Sequence, residues 1–111
     1  MENKKYEIIW SPKAYRNIQK IYAFTLEKLG NERYAIKIVK KILKAINSLK
    51  LFPFMYPKIY IDRKFKRQLR RATVGKYAVI YEVKNNKILI LYIFHENQNY
   101  SNLLLNQENL N

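Results

Sequence analysis

Two apolar stripes with helical spacing flank a short break at Gly30-Asn31, and that break is the strongest constraint on how this chain can fold. In the first stripe, Ala14, Ile18, Ile21, Tyr22, Thr25, Leu26 and Leu29 recur at three- and four-residue intervals, one face of an amphipathic helix. Ser11-Pro12 supplies its start, a hydroxyl that caps a free backbone N–H and a proline whose fixed φ suits the first turn. Gly30 is placed to end it, because glycine takes the left-handed conformation at little cost. Asn31 can cap a second helix, with Ala35, Ile38, Val39, Ile42, Ile46 and Leu49 as its stripe and Lys37, Lys40, Lys41 and Lys44 mostly turned away. A turn this short folds the helices back as an antiparallel hairpin, and its apolar side needs a second layer to cover it.

The remaining segments supply that layer. Tyr6, Ile8 and Trp10 alternate with Lys5, Glu7 and Ile9 as a first short strand. Pro53 and Pro57 mark a loop after the helices, and Ile59-Tyr60-Ile61 starts or precedes a second strand. Leu69 to Val74, Tyr77 to Val83 and Lys87 to Phe94 read as three successive strands, joined at Gly75-Lys76 and Asn85-Asn86, the latter suited to the positive φ of a hairpin turn. Tyr77, Val79, Tyr81 and Val83 share one face, and Ala78, Ile80 and Glu82 the other. The last strand is apolar on both faces, as in a central or well-covered strand. Ser101 to Leu105 is expected to form a short terminal helical turn. The order is β-α-α-β-β-β. The expected class is α+β: an N-terminal strand, an antiparallel helical hairpin and a mostly antiparallel sheet, in one domain over residues 1–111 with its core at about 4–105. Alternation alone does not fix the strand order.

The chain carries 22 Lys and Arg against 8 Asp and Glu, a net charge of +14, yet 49% of its residues are hydrophobic, so the charge does not imply disorder. It implies an acidic partner. Residues 62–76 concentrate the cations: Arg63, Lys64, Lys66, Arg67, Arg70, Arg71 and Lys76 face only Asp62, and no Lys or Arg follows Lys87. Arginine forks suit phosphate oxygens, and tyrosines can stack on bases, so this segment is the candidate nucleic-acid surface. Alternation puts Arg71 on the face of Leu69 and Thr73, and Arg70 on the face of Ala72 and Val74. Either arginine could face a site.

Composition narrows the chemistry. With no cysteine, disulfides and thiolate metal sites are excluded, which fits a reducing cytoplasm. No apolar run approaches the ~20 residues a membrane helix needs. Asp62 is the sole aspartate and His95 the sole histidine, so the convergent oxygen ligands of a metal-dependent nuclease are missing, and two isolated glycines make no phosphate loop. Metal-free RNA cleavage needs no cofactor. A base takes the 2′-OH proton, cations stabilise the phosphorane and an acid protonates the leaving oxygen, all within reach of His, Tyr, Lys and Arg. His95 is the natural proton carrier near neutrality.

Tyr6-x-Ile8-x-x-Ser11-x-x-Ala14, the helical pair, Leu69-Arg70-Arg71, Tyr77-x-Val79-x-Tyr81 and His95-x-x-x-x-Tyr100-x-x-Leu103-Leu104 together resemble the RelE/ParE toxins of bacterial type II toxin–antitoxin modules, over roughly residues 4–105. The resemblance implies a small α+β toxin fold and an adjacent gene for an acidic antitoxin. It also implies a free toxin that arrests growth, in modules associated with plasmid stabilisation. RelE-like members cut mRNA, commonly in the ribosomal A site; ParE-like members inhibit DNA gyrase and are not known as nucleases. The resemblance points first to a metal-independent endoribonuclease, an mRNA interferase. In it His95 would carry the proton and Arg71, with Arg67 or Arg70, would hold the phosphate. Tyr81 or Tyr100 would orient or stack, and Lys64 and Lys66 would position the backbone. The alternative is a non-enzymatic gyrase inhibitor. Relatives often carry Arg and Asp between the terminal histidine and tyrosine, where this chain has Gln98 and Asn99.

Overall fold

The computed structural model describes residues 5–59 and 68–97. Strand β1 (Glu7–Trp10) leads into helix α1 (Pro12–Leu29), followed by α2 (Glu32–Ser48), the short β2 (Lys58–Ile59), then β3 (Leu69–Val74), β4 (Tyr77–Lys84) and β5 (Lys87–His95). The strands form one sheet in the order β1-β5-β4-β3-β2. β1 runs parallel to β5, and every other pairing is antiparallel. The α+β class and the helical hairpin agree with the sequence. The chain returns to its start by a crossover: the hairpin carries it from β1 over the sheet, and β5 then pairs beside β1. The expected strand at Ile59-Tyr60-Ile61 is described only as far as Ile59, and the expected turn at Ser101 to Leu105 lies outside the described residues.

The helix ends follow their capping chemistry. Ser11 accepts from the Ala14 N–H at 2.9 Å, Asn31 accepts from the Tyr34 N–H at 3.1 Å, and Gly30 takes φ 59° as its N–H closes α1 on the Leu26 carbonyl. At the β4–β5 turn Asn85 adopts φ 56°, a left-handed conformation asparagine tolerates.

The helices cover one face of the sheet. Ala14 and Ile18 of α1 and Ile42 and Ile46 of α2 pack on Ala72, Val79, Tyr81, Ile88, Ile90 and Ile93. Burying each of the larger aliphatic side chains stabilises the fold by about 1.5–3 kcal/mol. Leu29, which shares the α1 stripe in sequence, is 57% exposed at the last residue of α1, on the open groove beside the β3–β4 turn. The opposite face holds a second cluster of Leu69, Ala78, Ile80, Tyr92 and Phe94, with Ile59 and Leu91 at its border.

Strand β5 changes phase part-way. Ile80 of β4 faces Tyr92, but the next residue, Tyr81, faces Ile90, so Leu91 is an extra residue in β5. Before the slip Ile88 and Ile90 point to the helices; after it Ile93 does, while Tyr92 and Phe94 point to the other face. Groups around the slip are bonded from outside the sheet. The Ser11 hydroxyl donates to the Leu91 carbonyl at 2.9 Å, and the Ile93 N–H donates to Asn17 Oδ1 at 3.0 Å. Ser11 thus caps α1 and anchors the irregularity at the same time.

Candidate functional site

Period-two alternation in β3 sends its adjacent arginines to opposite faces. Arg71 lies on the face away from the helices. Its guanidinium stands 3.6 Å from the Glu96 carboxylate and 5.9 Å from the centre of the Phe94 ring, with about a quarter of its side chain exposed. Arg70 turns the other way, beneath the loop that follows α2. It donates to the Tyr56 carbonyl at 2.7 Å and the Phe54 carbonyl at 3.4 Å, and lies 5.1 Å from the Phe54 ring centre. Both bonds come from Nη1 and hold that loop.

Tyr81 is wholly buried on the helix side, and its hydroxyl donates to the Pro53 carbonyl at 2.8 Å. Burial pushes its pKa up to about 12, partly offset by the Arg70 charge and a backbone hydrogen bond at Tyr56. It is a protonated staple on the loop that Arg70 also holds.

His95 ends β5. Because of the extra residue at Leu91, its side chain falls on the helix side. There it meets the Tyr77 ring edge-on at 5.3 Å between centroids, and its Nδ1 accepts from the Asn97 N–H at 3.2 Å. The ring lines an open groove of about 380 Å³ between the hairpin tip and the β3–β4 turn, beside Phe24, Lys28, Tyr34, Lys41 and Lys76. Lys76, expected as a phosphate contact, is on the rim of this groove. Without the slip, alternation from Ile88 and Ile90 would have sent His95 to the face of Arg71. The histidine and the arginine proposed as partners are therefore separated by the thickness of the sheet.

Of the residues singled out in sequence, the groove holds His95 and Lys76, the far face holds Arg71, and the core and loop hold Tyr81 and Arg70. Tyr100, Arg63, Lys64, Lys66 and Arg67 lie outside the described residues. Alternation in an all-apolar strand could not reveal the slip, since both phases look alike. The role of Arg70 was equally hidden, because loop carbonyls leave no trace in side-chain pattern. Among the described residues, no three His, Cys, Asp or Glu side chains converge as metal ligands, and no helix is long and apolar enough to cross a membrane.

The family described as "ParE toxin of type II toxin-antitoxin system, parDE" matches residues 8–100. The chain belongs to the ParE toxin family. No curated protein matches it in sequence. Among solved structures, the chromosomal ParDE TA system from P. aeruginosa contains a chain similar to this one, with a TM-score of 0.68 and 20% identity, covering 83% of this chain and 97% of that one. The toxin–antitoxin complex RelBE2 from Mycobacterium tuberculosis contains another, with a TM-score of 0.55 and 17% identity, covering 82% and 98%. At these identities the two structures establish a shared fold. The ParE match spans the helical hairpin, the described strands and the segment between β2 and β3, so family membership rests on the whole architecture rather than on one motif.

Proposed function

We propose that this chain is the toxin of a type II toxin–antitoxin pair and arrests growth by binding DNA gyrase, with an acidic antitoxin as its neutralising partner. The observation that carries this reading is the separation of Arg71 from His95 across the sheet, which the slip at Leu91 produces. A cleavage site needs proton carrier and phosphate clamp around one phosphorus atom, within a few ångströms of each other. Here they sit on opposite faces, and the buried Tyr81 hydroxyl is committed to Pro53. The ParE family match supports a protein target, and the net charge of +14 supports an acidic antitoxin.

A metal-independent mRNA interferase is the second reading. It is favoured by the partly exposed Arg71 guanidinium and the cation-rich sequence that precedes it, with Arg63, Lys64, Lys66 and Arg67. In that reading mRNA, on or off the ribosome, replaces gyrase as the target. Mapping mRNA 5′ ends after induction separates the two. Growth arrest with no new ends is expected. New ends that disappear in His95→Ala or Arg71→Ala would replace the gyrase reading with the ribonuclease.

A further inference from the structure

Helix α2 carries a charge pattern that neither reading uses. At about 100° per residue, Arg33, Lys37, Lys40 and Lys44 fall within an arc of roughly 60°. That arc is diametrically opposite Ala35, Ile42 and Ile46, the residues α2 buries. The cations therefore point straight away from the protein, and all four are exposed. Glu32, in the first turn, is the only acidic residue of the helix. The side chains border a shallow open depression of about 500 Å³ whose one apolar wall is Ile36.

We infer that the outward face of α2 is a docking surface for the phosphate backbone of duplex DNA, bound without sequence preference. The stripe is about 16 Å long at 1.5 Å per residue, the length of about five base-pair steps of 3.4 Å. Three of the four cations are lysines on flexible stems, Glu32 lies about 100° round the helix from Arg33, and the one amide that borders the arc is Asn47 at its C-terminal end, a composition that suits backbone contact rather than sequence readout. A membrane surface would need an apolar face to insert, and the apolar face of α2 lies in the core. An acidic helix from a protein would need buried apolar anchors at the centre of the contact. The centre of this face is cationic, with Ile36 and Leu43, 37% and 41% exposed, to one side and Tyr34, 45% exposed, to the other. The inference stands independently of the gyrase reading.

Fluorescence anisotropy of a short labelled duplex of arbitrary sequence, titrated with the full chain over a range of KCl concentrations, tests it. Lys37→Glu/Lys40→Glu/Lys44→Glu should weaken binding by about tenfold or more and reduce the log–log salt slope by about three. Arg16→Glu/Lys20→Glu/Lys84→Glu makes the same change in net charge elsewhere on the surface and should weaken binding by less than about threefold. The neutral set Lys37→Gln/Lys40→Gln/Lys44→Gln, with wild-type circular dichroism, guards against misfolding and should also lose affinity and salt slope. Equal losses from the two charge-reversal sets would show bulk charge alone and overturn the inference. So would unchanged DNA binding in the α2 variants, including the case in which they lose only an acidic amphipathic peptide.

Discussion

The two faces of the sheet are built from the same kinds of residues and are put to different uses. On the helix side, away from the open groove of His95, several polar groups have structural tasks. Tyr81 and Arg70 hold the loop after α2, while Ser11 and Asn17 bond the backbone of β5 where its register slips. On the other side Arg71 meets Glu96 and Phe94 at a rim open to solvent. Arg70 and Arg71 are neighbours in sequence with identical chemistry. Strand alternation alone makes one a loop clamp and leaves the other at the surface.

Exchanges on the two faces should differ in a graded way. Ile90→Ala, in the centre of the helix-side core, should cost about 2–5 kcal/mol in urea unfolding. A loss below about 1 kcal/mol would mean that the hairpin does not seal this face. Tyr81→Phe should cost about 1–3 kcal/mol, because the Pro53 carbonyl is left buried without its donor.

Tyr81→Phe should also change the alkaline limb. The Tyr81 pKa is raised from 10.0 to about 12 in the fold. Its contribution is therefore complete below pH 10 and declines as pH rises towards 12, where the unfolded chain has released the proton and the folded chain has not. The stability gap between wild type and Tyr81→Phe should narrow over that interval, by up to about 1.4 kcal/mol per pH unit. A constant gap would contradict the enclosed phenol.

Smaller effects follow. Ser11→Ala removes the α1 cap and the bond to the Leu91 carbonyl together, and should cost about 1–2 kcal/mol by thermal unfolding. A loss of only a few tenths would mean the hydroxyl anchors neither. Arg71→Gln should be the mildest, below about 1 kcal/mol, since its partly exposed pairing with Glu96 is a rim interaction. A larger loss would place Arg71 among the structural groups and erase the contrast with Arg70.

Much of this architecture is legible in the residues. Ser11-Pro12, Gly30 and Asn31 announce the helix ends through hydrogen-bonding and backbone preferences that act locally, and Asn85 does the same for the last turn. Strand alternation also assigned Arg70 and Arg71 to their correct relative faces. The pairing of β1 with β5 was not legible, because about eighty residues separate the partners and no local preference encodes which strand will accept β1. The slip at Leu91 was hidden for a different reason. Ile88 to Phe94 is apolar at every position, so the phase of the strand leaves no polar mark to follow. That hidden phase decides the face of His95. A candidate site assembled from residue types, with His95, Arg71, Tyr81 and Tyr100 converging, had no means of detecting it.

On the gyrase reading, toxicity runs through a protein target rather than through a phosphodiester cut by His95 and Arg71. Its most direct test is a supercoiling assay with purified gyrase, relaxed plasmid and increasing amounts of the full chain. Relaxed plasmid should persist in proportion to the added protein. Supercoiling that proceeds to completion at every concentration of a chain that still arrests growth would exclude gyrase as the target.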